Sequence, residues 1–338
     1  MKVGVVGAGA IGGLIAGRIA SHVAGLVPES QVSILARGAS LEHLQRKGLA
    51  VYEADPQASD GFARTFDGPV NASDSAAVLG VQDILIISLK YNAMAAVVPK
   101  IAPMIGPETI IFSAMNGVPW WFAHGLSAAP AGMKLEAVDP DGVFSKVLPV
   151  EQVIGCVVHL AGSVRGPGVI QRNLGNRLVI GEPNGQMTER LRSVTELLER
   201  ARFDVEPTDS IHAALWFKLW GNMTVNPVSA ITGAWSDVIL ADPLLRGFLS
   251  DLMREAAQVG DKIGLPIHED PESRHQVTAK LGAFKTSMLQ DVEAGKPLEL
   301  DALVAAVREI AQQVDVRTPH IDALLGLTRV FAKTRNLL

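Results

Sequence analysis

Three polar residues stand four apart in the segment LWFKLWGNMTVNP: Lys218, Asn222 and Asn226. At 100° per residue they fall within about 80° of one another on a helix. Trp216, Leu219, Trp220 and Met223 take the opposite side. An ammonium can stabilise an alkoxide formed by hydride addition to a carbonyl, and give it a proton. Amides can orient a hydroxyl or a carboxylate without adding charge. The plain alternative is a solvated helix face, and Pro227 pushes Asn226 toward a kink.

A second constellation opens the chain. Gly7-Ala8-Gly9-Ala10-Ile11-Gly12 reads G-x-G-x-x-G and sits between an apolar run and a helical stretch. Gly7 permits a tight turn, Gly9 lets a diphosphate approach the backbone, and Gly12 lets helix and strand pack closely. The helix start at Ala10 and Ile11 offers free N–H groups and a positive dipole end. The pattern predicts a dinucleotide. An NAD site usually has a carboxylate at the end of the second strand. Here Leu35-Ala36-Arg37-Gly38 has none, and Arg37 can pair with a 2′-phosphate. NADP (NADPH) is therefore the expected cofactor.

The elements that must position these groups alternate. Strands are expected at 2–6, 31–35, 83–89, 109–113, 153–160, 177–180 and 203–205. Helices are expected at 10–24, 40–47 (capped by Ser40), 92–104 and 187–201. Alternation implies a parallel sheet with helical crossovers. Residues 125–150 read as irregular. Beyond about 208 the strand signal stops. Asp242-Pro243 starts a helix that ends by Gly264, and 299–314 places Leu300, Leu303, Val304, Val307, Ile310, Ala311 and Val314 on one face. The expected fold class is α/β plus all-α. A Rossmann-type, doubly wound sheet over 1–208 precedes an all-helical domain over 209–338.

Composition agrees with such an enzyme. The chain has 338 residues, 30 Lys+Arg against 35 Asp+Glu, and 48 % hydrophobic residues. That length accommodates two domains at about 100–200 residues each. The acidic balance argues against nucleic acid as a partner. One cysteine, Cys156, excludes an intramolecular disulfide framework and points to a reducing compartment, the cytoplasm. It reads as a small buried hydrophobe. No apolar run reaches the length of a membrane span. Val3–Ala16 has the outline of a signal-peptide core, but five glycines in the first thirteen residues favour a strand and turn. Eight histidines show no metal-ligand spacing, and His159, in an apolar strand, reads as a core residue. No metal is expected.

Taken together these segments resemble the ketopantoate reductase (2-dehydropantoate 2-reductase) family over nearly the whole chain. GAGAIGG is similar to its opening glycine loop, and Arg37 stands at its 2′-phosphate position. Lys90 in SLK matches its lysine on the cofactor and substrate side. Asn116-Gly117 matches its asparagine–glycine, and KLWGNMTVNP its lysine–asparagine helix. Ser287 in TSMLQD and Glu299-Leu300-Asp301 match its substrate serine and its glutamate–aspartate pair. The resemblance implies NADPH-dependent reduction of ketopantoate to pantoate in pantothenate and coenzyme A synthesis. It makes Lys218 the general acid and Glu299 the acceptor of the substrate hydroxyl. Asn222, Asn226 and Ser287 orient the substrate, and Asn116 serves both substrate and cofactor. It implies a cleft between two domains and allows a homodimer.

Some features depart from the family pattern. Residues 125–150 exceed the usual connection, and Trp120-Trp121 follow closely on the asparagine–glycine, either lining the site or packing under a loop. Another 2-oxo acid, including an aromatic mandelate-type one, is thus an alternative substrate. β-Hydroxyacid dehydrogenases share K-x-x-x-N but have a different glycine loop and no reason for Glu299. A non-catalytic NADPH sensor is the alternative from another class.

Overall fold

The computed structural model describes residues 1–22, 31–280 and 282–338. The chain forms two compact units, 1–115 with 143–211, and 116–142 with 212–338.

The first unit is built on ten strands among the described residues. They are β1 (Lys2–Val6), β2 (Gln31–Leu35), β3 (Leu49–Ala54), β4 (Phe62–Gly68), β5 (Asn71–Ser73), β6 (Ile84–Ile87), β7 (Ile110–Ser113), β8 (Val153–Gly166), β9 (Val169–Gly181) and β10 (Asp204–Pro207). Their order is β4-β3-β9-β8-β7-β6-β1-β2-β5, with β10 on β9. From β5 through β2, β1, β6 and β7 to β8 the pairing is parallel. This is the doubly wound part, and its strands are the apolar runs that a sheet covered on both faces requires. The sheet as a whole is mixed, because β8–β9 and β3–β4 pair antiparallel.

The helices of this unit are α1 (Ala10–His22), α2 (Gly38–Lys47), α3 (Ala76–Leu79), α4 (Tyr91–Val97), α5 (Val143–Val147) and α6 (Glu189–Arg200). Several differ from expectation for local reasons. Positions 23 and 24 of the first expected helix lie outside the described residues. α2 begins at Gly38 with Arg37 in the capping position, so Ser40 is inside the helix and is not its cap. The expected helix 92–104 is α4 followed by two 3-10 turns, since Pro99 and Pro103 cannot continue the α hydrogen bonds. His159 is exposed, not in the core: strand alternation puts Val158 inside and His159 out. Cys156 is buried in the core.

A charged cluster ties α1 to the sheet. Arg18, 5 % exposed, donates to Glu53 through Nε (3.0 Å) and Nη2 (2.6 Å), and to Asn176 and the Arg202 carbonyl through Nη1. Arg172 Nε adds a bond of 2.8 Å to the same carboxylate. Burial pushes the Glu53 carboxyl upward, but the Arg18 and Arg172 guanidiniums more than reverse this and hold it at about 2, below the ordinary 4.5. A folded value below the unfolded one stabilises the fold above pH 4.5, and that gain fades as pH falls toward 2. Glu53→Gln should therefore cost about 3 kcal/mol at pH 7 and much less near pH 2.5. Urea unfolding at both pH values checks this, and an equal cost at both would show that the charge is not what stabilises.

The second unit is helical: α7 (Ile211–Thr232), α8 (Ser236–Ala241), α9 (Pro243–Lys262), α10 (Pro271–Lys280), α11 (Ser287–Glu293), α12 (Ala306–Gln313) and α13 (Pro319–Thr334). α7 is its axis. Trp216, Leu219, Trp220 and Met223 are buried, and Trp220 Nε1 donates to the Met253 carbonyl of α9 at 2.7 Å. α7 runs through Pro227 to Thr232, so Asn226 stays in the helix and does not mark its break. Asp242 caps α9 through the N–H groups of Leu244 and Leu245.

Residues 116–142, expected as partly irregular, are held by this unit. The Glu309 carboxylate accepts the N–H groups of Glu136 (2.7 Å) and Ala137 (2.9 Å), and Gln313 Nε2 donates to the Lys134 carbonyl (2.6 Å). Trp121 and Phe122 are buried and each lies 5.4 Å from the His212 ring. Burial lowers the His212 value to about 4, so the ring is neutral and its Nε2–H donates to the Phe122 carbonyl at 2.9 Å. Trp121 is thus packing under a loop, and Trp120 beside it is buried.

Candidate active site

In the first unit the candidate residues follow three adjacent strand ends. Val6 of β1 pairs with Leu35 of β2 and with Ile87 of β6, all parallel. Gly7, Arg37 and Lys90 therefore emerge at the same edge of the sheet, about 4.8 Å apart per strand. This is the carboxyl edge, where the strand order reverses around β1 and where open α/β sheets bind ligands.

The glycine turn has the required shape. Gly7 has φ +99°, and a Cβ there would fall on the carbonyl oxygen of Ser88. A Cβ on Gly12 would fall on the Gly7 carbonyl oxygen. Nothing lies within 4 Å of a Cβ position at Gly9, so the backbone is open to a ligand there. Gly13 N–H bonds to the Gly9 carbonyl at 2.8 Å, which sets the first turn of α1 and leaves the N–H groups of Ala10, Ile11 and Gly12 without intrahelical acceptors. Arg37 is exposed and makes no side-chain hydrogen bond or ion pair among the described residues. Lys90 is half-buried at the start of α4.

In the second unit Lys218 Nζ donates to Asn116 Oδ1 at 2.8 Å, joining two motifs 102 positions apart in sequence. Lys218 and Asn222 are half-buried on one face of α7, and Asn226 is buried. Glu299 is half-buried and stands immediately before a helix that starts at Leu300. That helix is not the plain α-helix expected over 299–314. Asp301–Ala305 form a π turn before α12. Such turns are frequent at functional sites. Ser287 is exposed at the first position of α11, and its neighbour Thr286 caps that helix. No side-chain hydrogen bond joins Ser287 to the α7 stripe among the described residues.

One positioning residue was not legible as such. Gly117 has φ +80°, and a Cβ there would lie 2.7 Å from both the Cβ and the carbonyl oxygen of Ala302 in the π turn. The next residue, Val118, donates its N–H to that carbonyl at 2.8 Å. Asn116 is thereby fixed against the turn that follows Glu299. A glycine after the asparagine was the visible signal. Its partner was not.

Among the described residues no group of three or more His, Cys, Asp or Glu could hold a metal ion. Among them, too, no helix is long and apolar enough to cross a membrane.

Known proteins place this arrangement. The family model "Ketopantoate reductase PanE/ApbA" matches residues 3–185, and the model of its C-terminal domain matches residues 210–332. A 2-dehydropantoate 2-reductase from Mesorhizobium japonicum is 39 % identical over 335 residues, covering 99 % of each chain. A crystal structure from Ralstonia solanacearum MolK2, provisionally assigned as a ketopantoate reductase, is 47 % identical with TM-score 0.90 and covers 99 % of each chain. The ternary structure of D-mandelate dehydrogenase with NADH and anilino(oxo)acetate, 15 % identical with TM-score 0.81 over both whole chains, shares the fold. The class is that of the oxidoreductases. Within it, the chain belongs to the ketopantoate reductase family.

Proposed function

We propose that the protein reduces the C2 carbonyl of 2-dehydropantoate to the alcohol with NADPH. The observation that carries this reading is the bond from Lys218 Nζ to Asn116 Oδ1, which holds one ammonium at a set place beside the amides of α7. The turn at Gly7, the open backbone at Gly9 and the unpaired N–H groups at the start of α1 fit a diphosphate. The nucleotide, when bound, supplies the hydride. Ala10, Ile11 and Gly12 would hold its diphosphate, Arg37 its 2′-phosphate, and Lys90 and Asn116 its nicotinamide side.

The remaining chemistry is proton and orientation work. Lys218 gives a proton from Nζ to the carbonyl oxygen as charge develops on it. Asn116 accepts one Nζ–H and so aims the others. Asn222, Asn226 and Ser287 orient the acid, and Glu299 accepts from a substrate hydroxyl. The relative from Mesorhizobium japonicum, named as a 2-dehydropantoate 2-reductase, supports this choice of substrate. Trp121 is buried with its ring edge-on to His212, which weakens the case for an aromatic acid.

The test is NADPH absorbance with 2-dehydropantoate and benzoylformate in parallel. Turnover of benzoylformate without turnover of 2-dehydropantoate would overturn the substrate, and NADPH binding without any turnover would favour a sensor. For the cofactor, Arg37→Ala should lower kcat/KM for NADPH about 10–100-fold and leave NADH within about threefold, the loss expected for charge-assisted bonds. Equal use of both nucleotides by the unaltered protein would contradict this.

A further inference from the structure

We propose that Arg274 of α10 is a specificity-determining residue that takes the carboxylate of the 2-oxo acid beside Lys218; this rests on the reading of the protein as a 2-oxo acid reductase. The half-exposed residues of α7 around Lys218 include Ala214, Phe217, Asn222 and Val225. They share one face at helical spacing. Gly221 lies at the centre of that face and yet is buried. Arg274 is what buries it. A Cβ at Gly221 would lie 2.8 Å from both Nε and Nη2 of Arg274. The missing side chain leaves room for the guanidinium against the helix.

The contact sets the cation next to the proposed general acid. Positions three apart on a helix have Cβ sites about 5–6 Å apart, and Gly221 is three beyond Lys218. The same guanidinium sits 5.3 Å from the Phe217 ring centre. No carboxylate among the described residues forms an ion pair or hydrogen bond with it. Its Nε is buried without a hydrogen-bond partner, and its side chain has no hydrogen bond or ion pair among the described residues. Burial pushes its value downward, partly countered by the charge of Glu269, an exposed residue beyond ion-pair distance. A cation held in place without its own anion is prepared for one from outside. A planar guanidinium grips a carboxylate in bidentate fashion. A 2-oxo acid carries its carboxylate on the carbon next to the carbonyl, so Arg274 and Lys218 would address neighbouring groups of one substrate.

The alternative is that Arg274 only covers Phe217. Arg274→Met keeps an apolar stem there and removes the charge; Arg274→Lys keeps the charge without the fork. We expect Arg274→Met to raise KM for the 2-oxo acid about 30-fold or more, with kcat and NADPH affinity within about threefold, and Arg274→Lys to fall between. Reduction of the uncharged ethyl ester of the same acid should change less than about threefold, since no charge-assisted bond is lost. Equal losses for acid and ester, or none for either, would overturn the proposal. Calorimetric titration with oxamate in the presence of NADPH reads carboxylate binding without turnover. If the unaltered protein reduces no 2-oxo acid, the functional reading fails. In that case weaker oxamate binding by Arg274→Met still supports the carboxylate site, and unchanged or absent binding overturns it.

Discussion

Lys218→Ala is expected to lower kcat for 2-dehydropantoate about 10²–10⁴-fold, the usual range for loss of a positioned general acid. NADPH affinity should stay within about threefold, because the glycine turn and Arg37 belong to the other unit. The geometry behind the size of the effect is specific. Lys218 stands on a helix whose opposite face is locked by Trp216, Leu219, Trp220 and Met223, so its backbone has little freedom. Asn116 Oδ1 then holds Nζ at 2.8 Å. Water entering the space left by alanine can supply a proton, but not an oriented positive charge. Lys218→Arg should not restore the rate, since a guanidinium does not give up its proton in proteins. Stopped-flow and steady-state rates on both variants check this. An alanine variant with full kcat would remove Lys218 from the chemistry and leave it as a surface cation.

Gly117→Ala is expected to lower kcat about 100-fold with a smaller change in NADPH affinity, the loss that a misplacement of about 1 Å produces. Two costs act at this position. An L-residue at φ +80° pays about 1–2 kcal/mol for the left-handed backbone. A methyl 2.7 Å from backbone and side chain of Ala302 must also push the loop off the π turn, because Ala302 is itself fully buried. Either displacement moves Asn116 from Lys218 and breaks the bond from Val118 N–H to the Ala302 carbonyl. Kinetics beside a thermal melt separate the two costs. A fall in kcat with a Tm loss of only a few degrees is the positioning signature. Full activity despite a lower Tm would confine Gly117 to stability.

Much of this architecture is legible along the chain because its causes are local. The run at Ile84–Ile87 is apolar at every position, as a strand covered on both faces demands. The alternation of Gly7, Gly9 and Gly12 after β1 carries its own steric reason. The strands β3, β4 and β5 left no such trace. β4 (FARTFDG) has no fully buried residue, and β5 is three residues long, so their hydrogen bonds to neighbours decide them. The long hairpin of β8 and β9 continues past Leu160 through glycine, serine and arginine for the same reason. Its pairing, not its composition, extends it.

The candidate site divides along the same line. Lys218, Asn222 and Asn226 share a helix face because 3.6 residues per turn is a local rule, and the amino-acid order is sufficient to place them there. The residue types also settle that Arg37 meets no carboxylate at the end of β2. Three things needed folded space. One is the attachment of 116–142 to the helical unit, through Glu309, Gln313 and the ring packing around His212. Another is the π turn at Asp301–Ala305, whose hydrophobic spacing is the same as that of an α-helix. The last is the seat of Arg274 on Gly221, between helices 53 positions apart in sequence. Each depends on which surface meets which after collapse. Burial and hydrogen-bond satisfaction select that meeting from many the chain permits, and no window of sequence contains both partners.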